Sequence, residues 1–91
     1  MQDTVKKSAT ARLSRIEGQV RGIARMVDQD RYCIDVLHQI EAVKAALKKV
    51  QDEILRDHIA NCVEHAIMSG DPKDQRRKVA ELVQVLGHIT S

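Results

Sequence analysis

Between Gly22 and Gly70 the chain contains neither glycine nor proline. Within that stretch Val36, Ile40, Val43, Leu47, Val50 and Ile54 recur at alternating spacings of four and three, which is the pattern of a heptad seam. The spacing predicts one α-helix from about Arg31 to Met68. At a rise of 1.5 Å per residue such a helix is roughly 55 Å long, whereas a compact globule of 91 residues has a radius of gyration near ~12 Å. A helix of that length cannot be covered by its own chain. It calls for a partner.

Two shorter amphipathic segments flank it. From about Val5 to Val27, the residues Leu13, Ile16, Val20, Ile23 and Val27 share one helical face, and Gly18 and Gly22 within the pattern fit a close helix crossing. The polar interruption Asp28-Gln29-Asp30-Arg31 separates this helix from the long one, with Asp30 as the expected cap of the latter. Ser69-Gly70-Asp71-Pro72 reads as a stop followed by a start. The third helix then carries Val79, Leu82, Val83 and Leu86 and is expected to end at Gly87. With one Tyr, no Phe and no Trp, the core must be aliphatic, which argues against a β-sandwich or barrel. The expected architecture is all-α: a three-helix protomer with one long central helix, forming a single domain over residues 1–91. No apolar run approaches the ~18 residues of a membrane span, and no hydrophobic leader follows Met1. A cytoplasmic protein with no membrane partner is expected.

In a reducing compartment, two cysteines are better read as ligands or redox sensors than as a structural disulfide. Cys33 lies three residues before Val36 and so extends the seam; His58 lies four after Ile54, and Cys62 four after His58. In one straight helix the 29 steps from Cys33 to Cys62 amount to about 44 Å, so these residues cannot meet within a chain. An antiparallel two-fold pair resolves this. Residue i then faces residue j of the second chain at constant i + j, and a sum of about 93 sets Cys33 between His58 and Cys62 of the other chain, twice per dimer. A single free cysteine is often only a small buried hydrophobe. The joint placement of both cysteines and one histidine on one face points instead to metal or thiol chemistry. Two thiolates and an imidazole suit trigonal Cu(I), whereas structural zinc takes four ligands. His65 could offer a fourth donor but reads as a solvated helix-face residue, and His38 and His88 take no role.

The net charge is only +2, yet the first 25 residues carry six bases (Lys6, Lys7, Arg12, Arg15, Arg21, Arg25) against two acids. Arg12 and Arg15 lie about one turn apart, and Arg21 and Arg25 form an i, i+4 pair. Assembly into an oligomer would repeat these clusters over an extended surface, as duplex DNA binding requires. With no aromatic platform, single strands are disfavoured.

The runs Arg15-Ile16-Glu17-Gly18-Gln19-Val20-Arg21-Gly22-Ile23, Asp30-Arg31-Tyr32-Cys33-Ile34-Asp35-Val36-Leu37, Gln39-Ile40-Glu41-Ala42-Val43 and Asp57-His58-Ile59-Ala60-Asn61-Cys62 resemble the copper-sensitive operon repressor (CsoR) family of bacterial metal-sensing repressors. The resemblance covers nearly the whole chain. It implies an antiparallel dimer pairing into a homotetramer that binds operator DNA without a recognition helix of the usual kind. The family's copper sensors use Cys, His and Cys at the spacings of Cys33, His58 and Cys62. Its nickel/cobalt branch has an N-terminal His, which Met1-Gln2-Asp3-Thr4 lacks, and a His where this chain has Cys62. The formaldehyde-responsive branch has a proline where Gln2 stands and lacks Cys62. The persulfide-sensing branch lacks the His that His58 supplies. The resemblance also implies supporting roles for Tyr32 beside the first cysteine and Glu81 on the third helix, whose carboxylate would accept the spare imidazole N–H, and a basic DNA contact at Lys49.

The resulting expectation is a Cu(I)-responsive transcriptional repressor, not an enzyme, that releases double-stranded operator DNA when copper binds. A formaldehyde- or nickel/cobalt-responsive relative of the same fold is one alternative, and two other readings stay open. One is a thiol or persulfide sensor cross-linking Cys33 to Cys62 of a second chain, from which His58 discriminates, since its loss should abolish only the copper response. The other is a copper carrier without a DNA role, although carriers usually expose their thiols on loops.

Overall fold

The computed structural model describes the backbone of residues 1–90 and all of their side chains except those of Cys62, Val63, Ile89 and Thr90. It is helical throughout, and no strand occurs among the described residues. Helix α1 spans Asp3–Asp28, α2 Cys33–Asp57, α3 Glu64–Ser69 and α4 Pro72–Thr90, with a π-helical segment, His58–Val63, between α2 and α3. Two compact units divide the chain, residues 1–55 and 56–91.

In the first unit, α1 and α2 are joined by a short connection and pack as a helical hairpin. The end of α1 determines that turn. The Arg31 N–H donates to the Met26 carbonyl at 3.0 Å, and the Asp30 N–H to that of Val27 at 3.2 Å. Asp30 itself is left-handed, with φ 53°. These are the two hydrogen bonds and the one left-handed residue of a Schellman stop. Asp is among the few residues other than glycine that tolerate this conformation. Asp30 therefore ends α1 instead of capping the next helix, which begins two residues later than expected, at Cys33.

Ala9 and Ile16 of α1 are buried against Val43 and Val50 of α2, with Ile23, Ala46 and Ile54 packed around them. The chain does cover part of the seam that the sequence reading assigns to a partner: α1 packs over Val43 and Val50. The reason is angular: a seven-residue repeat drifts around a straight helix, and an α1 with its own apolar stripe can take one edge of it. The other edge stays open. Ile40 is 38% and Leu47 44% exposed, and Leu13, Val20 and Val27 form a second exposed row along α1 at seven-residue spacing.

In the second unit, α4 packs against the π segment and α3, around Ala66, which is 1% exposed. The turn is as expected. Gly70 has φ 72°, and Asp71 caps α4 by accepting the Lys73 N–H at 3.0 Å. The Gln75 side-chain amide ties α4 back to the Ile67 carbonyl at 3.2 Å. Helix α4 does not stop at Gly87. It runs through to Thr90, because a lone glycine costs only about 1 kcal/mol in a helix and no proline or second stop signal follows.

The long helix expected from about Arg31 to Met68 forms, as one helical run from Cys33 to Ser69, but within it the six residues His58–Val63 switch to π hydrogen bonding. The Glu64 N–H reaches the carbonyls of Ile59 and Asn61, five and three residues back, instead of that of Ala60.

Candidate metal and nucleic-acid sites

The sequence-derived donors fall in two places. Cys33 opens α2, where its thiol is free and exposed, and Tyr32 before it is 68% exposed. His58 opens the π segment and is half-buried. The backbone of Cys62 lies in the same segment, and its side chain falls outside the described residues. Helix α2 alone, 25 residues long, sets about 36 Å between Cys33 and Asp57. Among the described residues no three His, Cys, Asp or Glu side chains gather as a metal cluster. Glu81 lies exposed on α4. No hydrogen bond joins it to His58 among the described residues. His65, on α3, is also exposed.

Two residues to which the sequence pattern assigns no role stand beside these donors. Asp57 is 6% exposed. The Asn61 side-chain amide donates to the Asp57 Oδ1 at 2.9 Å and to the Asp57 backbone carbonyl at 3.1 Å. The signal was present in the sequence as an Asp and an Asn four apart, each directly preceding a donor. It is easily passed over, because i, i+4 polar pairs are common on helices.

The cationic residues Arg12, Arg15, Arg21 and Arg25 all lie exposed on α1, and Lys49 lies exposed on α2. Their surroundings differ. Arg21 pairs with Glu17 at 3.3 Å, within its own helix. Arg12 Nε sits 3.7 Å from Glu53 Oε2, an ion pair too long to be a hydrogen bond. That oxygen is buried and has no hydrogen-bond partner among the described residues. Part of the Arg12 charge is therefore answered within the chain. Among the described residues Arg15, Arg25 and Lys49 enter no ion pair.

Among the described residues the chain is all-helical, with a basic first helix, Cys33 opening the second, and His58 and the backbone of Cys62 in the π segment that follows it. A model of the family described as metal-sensitive transcriptional repressors matches residues 5–88. The chain is 51% identical over 85 residues, 93% of its length and 81% of the relative's, to the copper-sensing transcriptional repressor CsoR of Bacillus subtilis. The crystal structure of the copper-sensing repressor CsoR with Cu(I) from Geobacillus thermodenitrificans superposes with a TM-score of 0.89 at 38% identity, covering 100% of this chain and 92% of that one. The nickel-responsive transcriptional regulator InrS superposes with a TM-score of 0.73 at 39% identity, over 90% of this chain and 89% of that one. The chain belongs to the metal-sensitive transcriptional repressor family.

Proposed function

We propose that the chain is a Cu(I)-responsive transcriptional repressor, one functional unit over residues 1–91, whose metal-free form holds double-stranded operator DNA in the cytoplasm and whose copper form releases it to derepress copper-resistance genes. The supporting observation is the donor set. Cys33, His58 and Cys62 offer two thiolates and an imidazole, soft enough to favour Cu(I) over harder divalent ions. The similarity to copper-sensing repressors adds to it. A bound Cu(I) supplies a soft Lewis acid that draws thiolates and imidazole together. Because α2 separates Cys33 from the other donors, the centre combines Cys33 of one chain with His58 and Cys62 of a second. In the assembled, copper-loaded centre Tyr32 would stand beside the first thiolate, and Glu81, exposed in the isolated chain, would accept the spare imidazole N–H. The chains pair antiparallel through the exposed rows of α1 and α2, and two dimers form the tetramer. No helix among the described residues is long and apolar enough to cross a membrane.

A centre that bridges chains is sensitive to how they sit against one another. Linkage then requires that copper favour the form with low DNA affinity, and that DNA weaken copper binding by the same factor. The direct test is an anaerobic Cu(I) titration of the protein–operator complex followed by fluorescence anisotropy. The anisotropy should fall to that of free DNA as the site fills. A complex that survives saturation would refute the reading.

The DNA surface is tested separately. Arg15→Ala and Lys49→Ala should each weaken binding across sequences and reduce the salt slope by about 1 for each phosphate no longer neutralised. Cu(I) affinity of the free protein should stay unchanged. Salt slopes identical to that of the unaltered protein for both variants would place the DNA elsewhere.

A further inference from the structure

The π segment needs a cause, because nothing in its composition breaks a helix. Its six residues, His-Ile-Ala-Asn-Cys-Val, contain no glycine or proline, and the residues on either side, Asp57 and Glu64, have ordinary right-handed helical angles. In an α-helix the Asp57 carbonyl would accept the backbone N–H of Asn61, four residues on. Here the side-chain amide of Asn61 donates to that carbonyl at 3.1 Å and to the Asp57 carboxylate at 2.9 Å. A side chain inserted into the i to i−4 ladder is an established cause of helix distortion. Past it, the Glu64 N–H reaches back five residues to Ile59. The ladder slips by one where the Asn61 amide enters.

We infer that Asp57 and Asn61 form a clasp that holds the π segment open, and that both are positioning residues for the copper site proposed above, on which this inference rests. The two clasp residues directly precede His58 and Cys62 in the chain, so the clasp and the donors share one turn. An α-helix would set two donors four apart on adjacent turns of a regular spiral. The wider π turn moves the second donor back around the axis relative to the first. Where the backbone sets the second donor relative to the first therefore depends on whether the clasp is closed. Burial reinforces it. Asp57 is 6% exposed, and a buried acceptor of that kind binds its donor more firmly than a solvated one. π turns of this kind recur at functional sites, and this one contains two of the three proposed donors.

Three variants of the full-length protein test the clasp. Asn61→Leu keeps the size of the side chain, removes the donor and favours the α ladder. Asp57→Asn removes the charge but leaves an oxygen to accept from Asn61. His58→Ala removes a proposed ligand. In the metal-free protein, scalar couplings across hydrogen bonds should connect the Glu64 amide to the Ile59 carbonyl in the unaltered protein and in Asp57→Asn. In Asn61→Leu they should connect it to the Ala60 carbonyl. Competition against a chromophoric Cu(I) chelator should show Asn61→Leu binding on the order of 10- to 100-fold more weakly, the range typical of residues that support metal ligands. Asp57→Asn should stay within about threefold of the unaltered protein, because its hydrogen bond survives. If Asn61→Leu binds Cu(I) normally while His58→Ala does not, the clasp has no positioning role and the copper reading stands. Normal binding by His58→Ala would overturn the copper reading itself. A fall in Asp57→Asn as deep as in Asn61→Leu would mean that charge, not the hydrogen bond, matters, and would overturn the clasp.

Discussion

Replacing Leu47 by Glu should abolish assembly and leave an unfolded or aggregated chain. Leu47 is 44% exposed on the isolated chain and lies on the open edge of α2 with Ile40, while Val43 and Val50 are turned into the hairpin. In an antiparallel two-fold pair each chain presents this edge to the other, so one substitution places two carboxylates in the interface. Removing an ion from water without a counter-charge costs several kcal/mol, and each 1.4 kcal/mol is tenfold in the association constant. The dimer should weaken at least about a thousandfold. The hairpin left behind has only Ala9, Ile16, Val43 and Val50 buried. Helices draw most of their stability from tertiary packing, so losing the partner should cost folding as well. Lys48→Glu, on the neighbouring solvent face, should assemble normally. Sedimentation and far-UV circular dichroism at micromolar concentration read both outcomes. A folded monomer of Leu47→Glu would show that the open edge needs no second chain.

Two inactive variants should complement each other. If, as proposed, the centre takes Cys33 from one chain and His58 with Cys62 from the other, Cys33→Ala and Cys62→Ala homodimers each lack a complete site. In a mixed dimer one end loses both thiolates and the other keeps all three donors. Mixing and refolding the two variants should therefore restore tight Cu(I) binding, to about one site per mixed dimer. No geometry confined to one chain predicts such recovery, since every chain in the mixture lacks one thiol. Mass spectrometry of differently tagged chains verifies that mixed dimers are present. If they form and no tight site returns, the donors do not bridge chains.

The helices were legible because their signals are local. Heptad spacing marked the long run, and Gly70, Asp71 and Pro72 marked the turn before α4. Two features escaped for the same reason, in that a side chain overrode the backbone pattern around it. Asp30 carries the composition of an N-cap, yet it ends the preceding helix, because its tolerance of the left-handed conformation decided the outcome. Asn61 carries the composition of an indifferent helix residue, yet its amide enters the ladder at Asp57. The seam itself was ambiguous. A heptad row states that a face will be covered, and not whether α1 or a second chain covers it; here α1 takes Val43 and Val50 and leaves Ile40 and Leu47. The proposed donors rest on spacing and softness, which are properties of residue type. The surroundings of Arg12 could not, since Glu53 reaches it only once the hairpin closes.

The single aromatic ring has an optical consequence. With no tryptophan in the chain, all of its intrinsic ultraviolet emission arises from Tyr32, which stands one residue from the Cys33 thiol and is 68% exposed. The protein thus carries an unlabelled reporter at one end of its long helix. It responds to events beside Cys33 and has no second emitter to mask them. Quenching by small anions and cations would measure how open that end is, without a mutation and without a dye.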